Sequence, residues 1–122
     1  MSPKPTVAPD AAKLRRHAHD LARAFDVTLV EVENLAPDGA FAHPGRRTAF
    51  CHPIVDETTY MVALHEMGHL VAPLGVVRDG KVVEETRPGN LLRLEEGAAW
   101  EWARHYALCW TEVMERWAAW AE

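Results

Sequence analysis

Long apolar runs are missing from this sequence of 122 residues. Its uninterrupted hydrophobic stretches reach only a few residues, against the roughly 18 that suggest a membrane span, so no membrane partner is expected. The opening segment, residues 1–10, carries prolines and charge but no apolar signal core, which predicts a cytoplasmic protein. Cysteine is scarce as well. Cys51 and Cys109 form no CxxC pair and no metal-type spacing, and reduced thiols are expected. An excess of positive charge is also absent: 13 Lys and Arg against 18 Asp and Glu leave a net charge of −5. That balance argues against direct nucleic-acid contact. Internal repeats and low-complexity segments are lacking.

What remains is ordinary globular composition, with 48% apolar and 25% charged residues, which excludes disorder. A chain of 13.7 kDa buries about two-thirds of its unfolded surface, enough for one core and not for two. Residues 1–9 read as a loose N-terminal segment and 10–122 as a single domain, with no room for a fused DNA-binding module. Two counts stand out. There are seven histidines, and all five tryptophans fall between Trp100 and Trp120.

Punctuation divides the chain into an α+β pattern. Asp10 caps a helix running to about Phe25, with Leu14, Ala18, Leu21, Ala22 and Phe25 on one side. Val27–Glu33 alternates as a strand does. Gly39–His43 and Arg47–Ile54 follow as a hairpin or two short strands around Pro44-Gly45-Arg46. Asp56 caps a second helix, Glu57–Val71, apolar on most sides and therefore buried, which Pro73 ends. Val76–Val83 reads as a small hairpin about Asp79-Gly80, and Pro88 opens a helix extending to the C-terminus.

The second helix carries His65-Glu66-Met67-Gly68-His69. Histidines four apart share a helix face, so both imidazoles can address one metal ion. Glu66 lies about 100° round the helix from His65, placed to act on a metal-activated water without being a ligand. Neutral imidazole suits Zn2+, and three polar side chains in a buried helix need a reason to be inside.

A catalytic zinc site needs a third protein ligand. Ala72 and Gly75 stand where the extended HExxHxxGxxH pattern would place glycine and histidine, so a downstream group is required. Glu84, Glu85, Glu95, Glu96, Glu101 and His105 are available. Alternating steps of three and four from Glu96 meet Ala99, Ala103, Tyr106, Trp110, Val113, Trp117 and Trp120, an apolar stripe that must turn inward. Glu96 is the one charge on that stripe, and an unpaired buried carboxylate is costly unless a metal takes it. Gly68 and Gly97 would let the two helices approach closely enough for Glu96 to reach the ion.

At these residues the sequence resembles the ImmA/IrrE family of small gluzincin-type metallopeptidases. The matching stretches are Thr48–Ile54, Thr59–Leu70 and Glu95–Ala103, the last reading Glu96-x-x-Ala99-x-x-Trp102-Ala103. Its Glu-Glu-x-x-Ala form is also similar to metallopeptidase domains of phage polyvalent and ArdC-type anti-restriction proteins. The resemblance implies a minimal zincin-like fold: an N-terminal helix, a small mostly antiparallel sheet, the HExxH helix and a long C-terminal helix carrying the third ligand. It further implies a zinc-dependent hydrolase of a protein or peptide substrate, such as a repressor or regulator, associated with phage or other mobile elements. His65, His69 and Glu96 would be ligands and Glu66 the general base. Trp100 departs from the family, which often has Asn or Asp at that position to support a ligand histidine, so the support must come from elsewhere. An extended substrate is expected to pair with an exposed edge of Arg47–Ile54. For the oxyanion, His52 or Tyr60 fits by position, while His105 and Tyr106 lie about 14–15 Å along the helix from Glu96. His17, His19 and His43 read as surface residues. The competing expectation is a non-catalytic, zinc-stabilised interaction or anti-restriction module.

Overall fold

A computed structural model describes residues 4–72, 76–78, 81–83 and 88–121, without the side chains of 76–95 or 121. It is an α+β arrangement. Helix α1 (Ala11–Ala24) leads into strand β1 (Thr28–Glu31), followed by β2 (Phe41–His43) and β3 (Thr48–Cys51). Helix α2 (Glu57–Val71) comes next, then β4 (Val76–Arg78) and β5 (Lys81–Val83), and finally α3 (Pro88–Tyr106) and α4 (Glu112–Ala121). No described helix is long and apolar enough to cross a membrane.

The caps read from the sequence form. The Asp10 carboxylate accepts from the Lys13 N–H, and Asp56 and Thr59 exchange side-chain and backbone bonds in a full capping box. The expected hairpin is present as antiparallel β4 and β5, with Val76 opposite Val83; its turn, Asp79-Gly80, lies outside the described residues, as does Pro73.

The main sheet differs from the antiparallel expectation. Its order is β1-β3-β2, with β1 parallel to β3 and β2 antiparallel to it, so it is mixed. Thr28 pairs with Thr48 on one side of β3 and His43 with Thr48 on the other. The strand expected to offer a free edge is therefore the central one. Among the described residues, β2 is the edge on that side of the sheet, and Phe41 stacks on Phe50 across it with ring centroids 4.7 Å apart.

Helix α2 is the hub. It touches α1, β2, β3, α3 and α4, which explains why apolar residues occupy most of its sides. Tyr60, Met61, Ala63, Leu64 and Met67 are wholly buried, against Leu14 and Ala18 of α1, Ala49 and Cys51 of β3, and Trp100 and Ala103 of α3.

The single long C-terminal helix is not found. It breaks after Tyr106 and restarts at Glu112, where the Thr111 hydroxyl accepts from the Met114 N–H. The inward stripe ends with that break. Ala99 and Ala103 are buried, but Tyr106, Val113, Trp117 and Trp120 are exposed, Trp120 to 82%. The buried rings are Trp100 and Trp102 instead. Lys4 and Pro5 bond to the end of α3 and the residues after it. Lys4 Nζ donates to the His105 and Ala107 carbonyls, and the Trp110 N–H donates to the Pro5 carbonyl, so this segment is bonded to the α3–α4 connection.

Candidate metal centre

Neighbouring positions on α2 and α3 bring three side chains together. His65 and His69, one turn apart, present their Nε2 atoms 3.1 Å from each other. Glu96 of α3 reaches across with Oε2 3.1 Å from His65 Nε2 and Oε1 3.0 Å from His69 Nε2. Among the described residues these three form a group that can hold a metal ion, with their ligand atoms all within 4.8 Å of one another.

The donor geometry fits a small divalent cation. Bond lengths of ~2.0–2.1 Å at tetrahedral angles separate ligand atoms by about 3.3 Å, close to the 3.0–3.1 Å found here. Burial and the neighbouring His69 pull the His65 imidazole down to about 3, which keeps it neutral. Two imidazoles and a carboxylate bring their Nε2 and Oε atoms to one point, each with a lone pair it can offer a cation. A cation satisfies all of them together.

Close helix approach makes the reach possible, and one glycine is responsible. A Cβ on Gly68 would stand 2.6 Å from the Ala99 carbonyl oxygen, so only glycine lets α3 cross α2 there. Gly97, expected to share this task, faces open space, with nothing within 4 Å of its would-be Cβ. Glu96 is also less inward than its stripe implied. Its side chain is 46% exposed and lines a cleft rather than the core.

His65 is held by a contact that the sequence did not indicate. Trp100 stacks on its imidazole at 4.1 Å between centroids and 28° between planes. Trp100 thus orients the ring by packing, where a hydrogen bond usually does so. His65 Nδ1 is buried with no hydrogen-bond partner among the described residues. Glu66 sits beside the group, its Oε1 3.9 Å from His65 Nε2. Burial, with the charge of Glu96 added, pushes its carboxyl up to about 7.

Two cavities meet at this point and share Glu66 and Ala40. The first, about 590 Å³, is bounded by Ala40, by Phe41 and Ala42 of β2, and by Glu66, His69 and Glu96. The second, about 470 Å³, is lined by Val62, His65, Glu66, Trp100 and Trp117.

Other sequence candidates have different employment. Glu84 and Glu85 lie outside the described residues, and so does the side chain of Glu95. Glu101 is exposed and pairs with Arg104 at 2.8 Å. His105 and Tyr106 are exposed, and the Tyr106 ring packs on Phe25. His52 lines the second cavity, but its Nε2 is bonded to the Ala36 carbonyl at 2.6 Å. Tyr60 is no oxyanion donor. It is fully buried, and its hydroxyl accepts from the Leu108 N–H at 2.8 Å and lies 2.6 Å from His17 Nδ1. His17 and His19 are half-buried rather than surface residues, the latter bonded to Glu31 at 2.8 Å, whereas His43 is exposed. No family model, no curated protein and no solved structure matches this chain.

Proposed function

We propose that this chain is a zinc-dependent metallopeptidase of the ImmA/IrrE kind, with a minimal zincin-like fold. Its substrate would be a protein partner such as a repressor or regulator. The position of Glu66 carries this reading. The residue adjoins a ligand and lines both cavities, yet it stands outside the His65, His69 and Glu96 group. A purely structural zinc site closes its fourth position and has no use for a carboxylate there.

Zinc held by the three ligands would supply Lewis acidity toward the scissile carbonyl and the attacking water. Glu66 takes the proton from that water and returns it to the leaving amine. Trp100 keeps the His65 ring in its ligating orientation. An extended substrate adds to β2 at Phe41–His43, beside the first cavity, with main-chain hydrogen bonds giving affinity.

One observation favours the alternative of a non-catalytic, zinc-stabilised interaction or anti-restriction module. Both side chains expected to serve the oxyanion, His52 and Tyr60, are committed to other hydrogen bonds. Comparing wild type with Glu66→Gln separates the readings. The peptidase reading expects equal zinc content and a rate of partner cleavage reduced by about 10²–10⁴-fold in the variant. A partner bound by both forms and cleaved by neither establishes the module instead.

A further inference from the structure

The two cavities that meet at Glu66 differ in chemistry. The first carries Arg47, His69 and Glu96 in its walls. The second is walled by Val62, Trp100 and Trp117, and its charged lining besides Glu66 and the histidines is the exposed Asp38. Its volume, about 470 Å³, falls within the ~300–1,000 Å³ of pockets that enclose small organic groups behind mostly apolar walls. Aromatic rings run outward from the metal cluster along one side of it. Trp100 stacks on His65, Trp117 tilts against Trp100 with centroids 6.3 Å apart, and Trp120 meets Trp117 edge-on at 5.7 Å. Trp117 is 37% exposed, leaving indole surface available beside the reacting centre.

Resting on the peptidase reading, we propose that this second cavity is a specificity subsite. It takes a large apolar side chain, of leucine to phenylalanine size, from the substrate residue next to the scissile bond, and Trp117 sets that preference. Continuity identifies the occupant. Ala40 and Glu66 belong to both cavities, so a peptide paired along β2 and cleaved at Glu66 brings an adjoining residue to the second one. Successive residues of an extended chain advance ~3.3 Å and alternate sides, which lets one side chain enter while its neighbours stay out. Enclosing such a side chain in place of alanine discriminates by about 10–100-fold.

Two measurements test this. In the first, zinc-loaded Glu66→Gln protein is titrated by NMR with the N-acetyl amides of phenylalanine, alanine and lysine. The phenylalanine probe should bind about 10-fold more tightly than the others and shift Val62 and Trp117 resonances. Equal binding of the three, or shifts confined to Arg47 and His69, overturns the subsite. In the second, wild type, Trp117→Phe and Trp117→Ala are given a peptide mixture of fully randomised sequence, and the cut sites are read by mass spectrometry. Wild type and Trp117→Phe should enrich large apolar residues at one position flanking the cut, and Trp117→Ala should lower that enrichment about 5-fold or more at unchanged zinc content. Cleavage by wild type with no such enrichment, or with enrichment that Trp117→Ala leaves unchanged, overturns the subsite and leaves the peptidase reading standing. If wild type cleaves nothing in the mixture, the peptidase reading fails and the subsite falls with it.

Discussion

Trp100 does at the residue scale what a hydrogen-bonding side chain does in many metal sites. Its indole lies against the His65 ring, so rotation of the imidazole away from Glu96 must first displace a fully buried tryptophan. Partners of ligand histidines commonly matter 10–100-fold for metal affinity. Trp100→Leu should therefore weaken zinc binding by about that factor in a chelator competition, and Trp100→Phe, which keeps a flat ring, should weaken it less. Equal affinities in the two variants would mean that the stack orients nothing. The HExxH residues were legible because helical spacing alone places His65 and His69 on one face. Glu96 was legible for a partly mistaken reason. The stripe that selected it stops at Ala103, and the carboxylate faces a cleft rather than the core. The role of Trp100 was not legible, since ring stacking between two helices leaves no periodic trace in the sequence.

At the scale of elements, the crossing of α2 over α3 positions the site, and the two glycines near it make opposite predictions. Gly68→Ala drives a Cβ toward the Ala99 carbonyl, so the helices must separate. Overpacking of this sort costs about 1–3 kcal/mol and should reduce zinc affinity together with stability. Gly97→Ala meets no neighbour within 4 Å and replaces a helix-interior glycine, which should stabilise the protein by about 0.5–1 kcal/mol. Chemical denaturation of the two variants decides the matter, and equal effects would contradict the assigned crossing. Helix starts were readable where a cap residue precedes an apolar run, as at Asp10 and Asp56. The same signal existed at Thr111, followed by Glu112 and Glu115 in the first turn of α4. The continued apolar stepping through Trp110, Val113 and Trp117 masked it, because no glycine or proline marks the break. The parallel pairing of β1 with β3 was hidden for another reason. Strand alternation reports a buried face but not the direction of a neighbour.

Across the whole molecule, one partly buried chain of hydrogen bonds joins elements distant in sequence. His17 of α1 meets the Tyr60 hydroxyl of α2, which accepts in turn from the Leu108 N–H in the α3–α4 connection. Burial holds the His17 imidazole below its usual 6.5, so folding favours the neutral ring. An unfolded chain takes up that proton at higher pH than the folded one, and the contribution of His17 is complete above about 6.5 and declines as pH falls. Glu31 acts in the same direction at lower pH. Burial opposes its charge, but the Ile54 N–H, His19 and Arg15 together hold it below the usual 4.5, and its contribution is lost as pH falls below that value. The His17 and Glu31 contributions to stability should thus both decline from neutral pH toward pH 4. His17→Gln should flatten the part of that decline nearest 6.5, and identical pH slopes would contradict the neutral His17. Partners this far apart in the chain, 43 residues for His17 and Tyr60, carry no local signature, which is why both were assigned elsewhere from sequence. At the level of the fold, α2 and α3 bring His65, His69 and Glu96, a group that could hold a metal ion, together beside a cleft. The most direct test is the metal content of protein purified without added zinc, for wild type and for Glu96→Ala. About one zinc per wild-type chain is expected, and a strongly reduced content in folded Glu96→Ala. Metal-free wild type, or a full complement of zinc in the variant, would contradict it.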